Sequence, residues 1–218
     1  MENRYFLIAI LFAATLLFSC SKEMSREGDG ALPPTSTCDY APYTTGSSFS
    51  YMNVNSAKDT IRYTFTVSGD TTINGNVYKI VGNDSVFTCS SCKDGIYTQI
   101  ASILTFQGYS ADDLKLTYLK DNVAAGTTWR DTITVSNGGA STSGILEFTV
   151  TQKGVTKTVN GKDYAEVIAV RMDAYALILN NPVSVGTIST SYYGKGIGLI
   201  EADQLHDTTT MLSYTLQP

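Results

Sequence analysis

Hydrophobic and polar residues alternate along much of the chain, which is the pattern of β-strands with one buried face and one wet face. Residues 61–67 carry apolar side chains at every second position, and residues 146–150 do the same. Residues 164–172 instead hold a run of adjacent apolar side chains, so both faces of that strand should be covered. Helical periodicity is scarce, and the pattern therefore predicts a β-rich domain.

Two Asn-Gly pairs mark tight turns between predicted strands. Asn74-Gly75 and Asn160-Gly161 consist of residues that accept a positive φ, as a two-residue hairpin turn requires. Each pair should join the strand before it to the next one, at residues 77–81 and at residues 164–172.

Two segments give a less definite pattern. Ser110 could cap a single helical turn that ends at Leu114. Residues 172–183 fit either a helix or a strand, and Pro182 would limit both.

Five short pieces of sequence occur twice in the same order. The first copy reads GSSF at 46–49, FTV at 65–67, TINGNVY at 72–78, GIY at 95–97 and LTYL at 116–119. The second copy reads GTTW at 126–129, FTV at 148–150, TVNGKDY at 158–164, GKGI at 194–197 and LSYTL at 212–216. The order predicts an internal duplication with halves at about 38–120 and 121–218, although Asn-Gly hairpins also recur in unrelated β proteins.

Two copies of four or five strands form a large antiparallel system, which must curl or split to cover its apolar faces. We therefore expect a single all-β domain over residues 38–218. Its predicted architecture is a strongly curved antiparallel sheet or half-barrel, and the alternative is a two-sheet sandwich.

The first residues have the pattern of a bacterial lipoprotein precursor. Residues 5–18 are almost wholly apolar, a length that suits the core of a signal peptide better than a membrane span. The run ends in Leu-Phe-Ser-Cys at Cys20, which resembles the site where a peptidase cuts before a lipid-bearing cysteine. We expect a signal peptide over residues 1–19, a lipid on Cys20 and a polar tether over residues 20–37. The alternative is an ordinary signal peptide, in which case Cys20 is only a thiol that lies near the cleavage site.

Composition narrows the range of partners. The net charge is −5 and charged residues make up 16% of the chain, so the protein is not expected to bind nucleic acid. No second long apolar run follows the first, so the lipid is the predicted contact with the membrane. The expected location is the outer membrane, on its periplasmic side or at the cell surface.

A family resemblance rests on short phrases of the second half. The phrase YYGKGIGLIE at 192–201, Gly126 with Trp129, and the Asn-Gly-x-x-Tyr element resemble uncharacterised lipoproteins of the Bacteroidota. Similar phrases occur in domains related to the half-barrels of LolA-like lipoprotein carriers. The resemblance implies an envelope location and a curved β fold, and it supplies no catalytic residue.

Three cysteines remain once Cys20 is assigned to the lipid, so at most one internal disulfide can form. Cys89 with Cys92 is the first candidate pair, and Cys38 with either of them is the next. Two further readings are a redox-active Cys-x-x-Cys and a zinc site formed by the three cysteines with His206, the one histidine. Because the flanks of Cys89 and Cys92 indicate strands rather than a helix N-terminus, we expect neither and predict no metal or cofactor.

The sequence lacks the usual motifs of catalysis. It contains no Gly-x-Ser-x-Gly elbow, no His-Glu-x-x-His helix and no phosphate-binding loop. Acidic pairs drawn from four residues could line a glycosidase cleft, but wet strand faces and loops are the favoured explanation, since spacing in sequence does not give the separation across a sheet. These residues are Glu147, Glu166, Glu201 and Asp203. We therefore predict that the protein is not an enzyme.

Fourteen tyrosines and Trp129 could stack on sugars or line an apolar cavity, or they could be cross-strand core residues. The first functional hypothesis is a lipoprotein that binds an apolar small molecule in a concave β surface. The alternatives are a surface adhesion or glycan-binding accessory protein, which needs an exposed row of aromatics, and a hydrolase.

Overall fold

The computed structural model describes residues 38–106, 109–137, 140–179 and 181–218, with side chains throughout except at 101–113 and 137–140. These described residues form one compact unit. The predicted signal peptide, the lipidation site Cys20 and the tether fall in residues 1–37, outside the described residues.

Twelve strands follow one another through the described ranges. They are β1 Ser48–Asn55, β2 Thr60–Ile73, β3 Asn76–Gly82, β4 Phe87–Lys93, β5 Ile96–Phe106, β6 Tyr109–Lys120, β7 Thr128–Asn137, β8 Ala140–Val159, β9 Lys162–Ile178, β10 Asn181–Gly194, β11 Gly198–Gln204 and β12 Asp207–Thr215. The predicted all-β class is confirmed.

All twelve strands belong to one antiparallel sheet that closes into a barrel. Each strand pairs with its neighbours in sequence, and β1 pairs with β12, from Ser48 opposite Thr215 to Asn55 opposite Asp207. The predicted curved antiparallel sheet is therefore confirmed, and its curvature goes beyond a half-barrel to closure. A two-sheet sandwich is not what forms.

The two Asn-Gly pairs are hairpin turns, as predicted. Asn74 and Gly75 have φ values of 49° and 77°, and Asn160 and Gly161 have 50° and 76°. They join β2 to β3 and β8 to β9. We call the end of the barrel that carries these two turns the lower end; because consecutive strands are antiparallel, the β4–β5 and β10–β11 turns lie there too.

The two less definite segments are strands. Residues 110–114 belong to β6 and not to a helical turn, because they pair across a hairpin with β5. Residues 172–183 form the end of β9 and the start of β10, and Pro182 lies opposite Leu177 just beyond the turn. Adjacent residues Val167 to Val170 are all buried, as expected for a strand that is covered on both faces.

The matched pieces of the two predicted halves occupy matching places in two runs of six strands. Gly46 and Gly126 have φ values of 89° and 87°. Gly46 donates to Val67 O and Val67 donates to Ser47 O, at 2.8 and 2.9 Å. The second copy repeats this bond pair with Gly126, Val150 and Thr127, at 2.7 and 3.0 Å. A common origin of the halves stays a prediction, and so does the LolA-like relationship.

The barrel interior holds two hydrophobic clusters. One joins β5–β10 and contains Leu119, Leu146 and Ile168, each almost wholly buried. The other joins β1–β3 with β8, β9, β11 and β12 around Phe49 and Ile200. Side chains therefore fill much of the interior, and the space that they leave is the candidate site.

Candidate functional site

An interior cavity of about 310 Å³ lies between opposite walls of the barrel. The wall formed by β4–β6 faces the wall formed by β8–β11. The lining side chains are Thr88, Gln99, Leu116, Tyr118, Phe148, Val170, Met172, Ser189, Ser191, Tyr193 and Leu199. This volume is at the lower end of the range that small-molecule sites occupy.

Strand alternation places these side chains on the inner face. Val170 and Met172 are two residues apart on β9, and Phe148 lies opposite Met172 on β8. On the other side of β9, Met172 and Val170 lie opposite Ser189 and Ser191 of β10. An apolar wall from β8 and β9 thus adjoins a row of serine hydroxyls.

Two buried tyrosines, Tyr97 and Tyr193, and the partly buried Tyr118 lie at the lower part of the cavity. The Tyr118 and Tyr193 rings are 5.6 Å apart, and the Tyr97 ring is 6.1 Å from that of Tyr118. The Tyr97 hydroxyl donates to Asp121 at 2.6 Å and accepts from Tyr40 N at 3.2 Å. These contacts continue the packing below the cavity to the lower end of the barrel.

Burial keeps these phenols protonated. It raises the pKa of Tyr118 and Tyr193 well above the usual 10, although bonds to Ser90 and Ser191 offset part of the effect. Burial also raises the pKa of Tyr43 to about 12, against a smaller opposing effect of a hydrogen bond to Tyr118. The tyrosines therefore add hydroxyl groups to the cavity region without adding charge.

The N-terminal segment 38–47 crosses the lower end of the barrel. Tyr40 donates its hydroxyl proton to Glu166 O at 2.8 Å, and Gly196 N donates to Asp39 O at 2.8 Å. Cys38 is joined to Cys92 at the end of β4, with 5.8 Å between their Cα atoms. This segment and its disulfide hold the lower end closed beneath the tyrosines.

The predicted pairing of Cys89 with Cys92 is therefore wrong. The two residues are three apart on one strand, so their side chains leave opposite faces of β4 and cannot meet. Cys89 is a buried free thiol, and burial raises its pKa, which disfavours the thiolate form that reacts. Because Cys92 is bonded to Cys38, the Cys-x-x-Cys is not a redox pair in this structure.

The proposed zinc ligands are not brought together. His206 is exposed in the β11–β12 turn, at the end of the barrel opposite the disulfide. Among the residues that the structure describes, no cluster of three or more His, Cys, Asp or Glu side chains could hold a metal ion.

The four acidic residues each have a separate partner. Glu147 pairs with Arg130 at 2.6 Å, Glu201 with Lys157 at 2.7 Å, and Glu166 with Lys195 at 2.8 Å. Asp203 accepts a hydrogen bond from Thr208 at 3.2 Å. None of the four lines the interior cavity.

Side chains replace backbone pairing along part of the β6–β7 seam. The register between these strands sets Ser110 opposite Ser136. Nearer the lower end of the barrel, Thr117 N donates to Asp131 Oδ2 at 2.8 Å, and Trp129 Nε1 donates to Thr117 O at 2.7 Å. The Trp129 ring also stacks on Phe148 at 5.5 Å, and because the two residues are cross-strand partners, the one tryptophan lies beside a residue of the cavity wall.

Aromatic side chains serve the interior more than the surface. Phe49, Tyr51, Tyr97 and Tyr164 are buried, and Trp129 is partly buried. A glycan platform needs a row of exposed rings, and these residues do not supply one.

Sequence reasoning missed Gln99, Ser189, Ser191 and Met172 as cavity residues. The serines alternate with other residues of β10, but alternating polar residues predict a wet face and give no sign of an enclosed one. The sequence alone does not distinguish a strand face that is exposed to solvent from one that lines an interior cavity.

In the described part of the chain, no helix is long and apolar enough to cross a membrane.

Comparison with known proteins gives structural similarities alone. No protein-family model matches the chain, and no curated protein matches it. An inferred lipoprotein of Parabacteroides distasonis aligns with a TM-score of 0.47 and 9% identity, over 81% of this chain and 98% of its own. An inferred exported protein with a YmcC-like fold from Bacteroides fragilis gives 0.47 and 9%, over 80% and 97%. The hypothetical lipoprotein YmcC of Escherichia coli gives 0.40 and 11%, over 95% and 94%. Similarities of this size assign neither an activity nor a ligand to this chain.

Proposed function

We propose that this chain is an extracytoplasmic lipoprotein that binds an apolar small molecule inside its barrel and catalyses no reaction. The observation that carries the proposal is the interior cavity of about 310 Å³. Leu116, Phe148, Val170, Met172 and Leu199 supply its apolar surface, which an apolar ligand would remove from water.

Two observations support the proposed location outside the cytoplasm. The apolar leader that ends at Cys20 fits a lipoprotein signal peptide. The Cys38–Cys92 disulfide is a bond that persists in oxidising compartments and is rare in the cytosol. The outer membrane, on its periplasmic side or at the cell surface, is the location that we propose.

We propose that the protein is not a catalyst because the acidic residues that could act as catalytic groups are held by other partners. Glu147, Glu166 and Glu201 are held in ion pairs away from the cavity. The described lining residues offer hydroxyl and amide groups but no Asp, Glu, His, Lys or Cys side chain that could exchange protons.

The ligand-binding part is tested by native mass spectrometry of residues 21–218, which contain every described strand and the disulfide. The protein is exported to the periplasm and purified without detergent. We expect a co-purified small molecule on the parent protein and its loss in Ser191→Phe, which fills the cavity. Thr190→Phe is the matched control, because Thr190 lies on the other face of the same strand. A parent protein without bound ligand that also takes up none of an added panel of alkyl compounds would refute the proposal.

The lipoprotein part is tested by labelling cells with a palmitate analogue. We expect the full chain to be labelled and to fractionate with membranes, and Cys20→Ser to lose both properties. Cys89→Ser controls for non-specific thiol labelling. An unlabelled full chain in the soluble fraction would contradict the assignment.

A further inference from the structure

We propose that the ligand of the interior cavity is an electrically neutral amphiphile, with a short apolar chain and a head that forms hydrogen bonds. This inference rests on the proposed function and names the chemical class of the ligand. It excludes fatty-acid anions and alkyl cations, which a carrier for charged lipids would accept.

The residues that the structure describes around the cavity carry no charge. Of the eleven described residues that form it, none is Asp, Glu, Lys, Arg or His. Tyr118 and Tyr193 are its ionisable groups, and their protonated phenols are neutral over the physiological range because burial raises their pKa. A charged head in this space would lose its hydration and find no opposite charge, so charged ligands are disfavoured.

Ser189 supplies a polar group that points at the ligand. The residue has a relative exposure of 8%, and it lines the cavity. Within the described part of the chain, its hydroxyl has no side-chain or backbone partner. A ligand head that donates to or accepts from this hydroxyl would gain a hydrogen bond inside the cavity.

Gln99 offers a second free polar group from the facing wall. It lies on β5, and its side-chain amide likewise makes no hydrogen bond to the described residues. An amide and a hydroxyl each donate and accept, so they suit heads such as an alcohol or a carboxamide.

The apolar part of the ligand would lie against Phe148, Val170 and Met172, which adjoin Ser189 through the register of β8, β9 and β10. The volume of about 310 Å³ holds one short chain, so probes with eight carbons are suitable.

The experiment compares octanamide, octanoate and octylammonium in binding to residues 21–218 at pH 7.5. Calorimetry gives the affinities, and the fluorescence of Trp129, stacked on the cavity residue Phe148, reports the site. Octanamide is expected to bind at least about 100-fold more tightly than either charged probe, because burying an unpaired charge is costly. Ser191→Phe is expected to abolish the octanamide signal, with Thr190→Phe as control.

The outcomes separate the two proposals. If octanoate or octylammonium binds within about tenfold of octanamide, the neutral-ligand inference is wrong and the binding function stands. If none of the three probes binds, the neutral-ligand inference is wrong; if, in addition, no ligand co-purifies with the protein, the binding function is wrong as well.

Variants test the assigned polar groups. The double variant Gln99→Leu with Ser189→Ala is expected to weaken octanamide binding by about tenfold, since each lost hydrogen bond contributes a factor of a few. Ser184→Ala, at an exposed position of the same strand, should leave the affinity unchanged. Circular dichroism melts establish that each variant is folded. Unchanged octanamide affinity in a folded double variant would overturn the inference.

Discussion

Removing the Cys38–Cys92 disulfide should destabilise the barrel strongly. The bond closes a loop of 54 residues between the N-terminal segment and β4. In the chain-entropy model, such a loop restricts the unfolded chain by about 14 cal/mol/K, which is about 4 kcal/mol of stability at 25 °C. The bond also anchors the segment whose Tyr40 bonds to Tyr97 and Glu166.

The test is guanidinium unfolding of residues 21–218, followed by Trp129 fluorescence and circular dichroism. The double variant Cys38→Ala with Cys92→Ala is expected to lose about 4 kcal/mol, which lowers the midpoint by roughly 1 M. Cys89→Ala keeps the disulfide and is expected to lose about 1 kcal/mol, as a small buried group does. Equal losses in the two variants, or peptide mapping that links Cys89 to Cys92, would refute the reasoning.

Three further predictions concern stability. Burial raises the pKa of Tyr43 to about 12, from 10 in the unfolded chain, so its contribution to the free energy of unfolding is fully present below about pH 10 and is lost as the pH rises towards 12. Tyr43→Phe should reduce this loss of stability in urea titrations at different pH values. An unfolding free energy that stays constant from pH 9 to 12 would contradict the prediction. Asp131→Ala should lower the free energy of urea unfolding by about 1 kcal/mol, because it leaves Thr117 N without its acceptor. Asp131→Asn should lower it by less, and equal decreases in the two variants would count against the contact between Thr117 and Asp131. Gly46→Ala and Gly126→Ala should each lower the unfolding free energy by about 1–2 kcal/mol, since both glycines have positive φ, and a neutral effect at either position would disprove that role.

Local features of the fold could be predicted from the sequence because they depend on neighbouring residues. The Asn-Gly turns follow from the conformational freedom of two adjacent residues, and Asn74 and Asn160 adopt the predicted positive φ. The covered strand after Asn160 follows from its continuous apolar run.

Long-range features could not be predicted in this way. Closure depends on pairing Ser48 with Thr215, and no local pattern encodes that register. Proximity in sequence favours a bond between Cys89 and Cys92, but the strand places their side chains on opposite faces, and Cys92 bonds to Cys38 instead. Residues 110–114 have a helix-capping pattern, but pairing with β5 overrides that local preference.

The candidate site was the least predictable part. Ser189 and Ser191 have the pattern of a solvent-facing strand face, and they line the interior cavity because the sheet closes into a barrel. A polar residue that faces inward cannot be recognised before closure is known.

The central claim, that the barrel interior binds a ligand, is tested most directly by NMR of residues 21–218 with ¹³C-labelled methionine methyl groups. Met172 lines the cavity, whereas Met211 lies in the other core cluster and Met52 on β1. Addition of octanamide is expected to shift the Met172 signal, assigned with Met172→Leu, and to leave Met52 and Met211 in place. A Met172 signal that does not move at saturating octanamide would contradict the account.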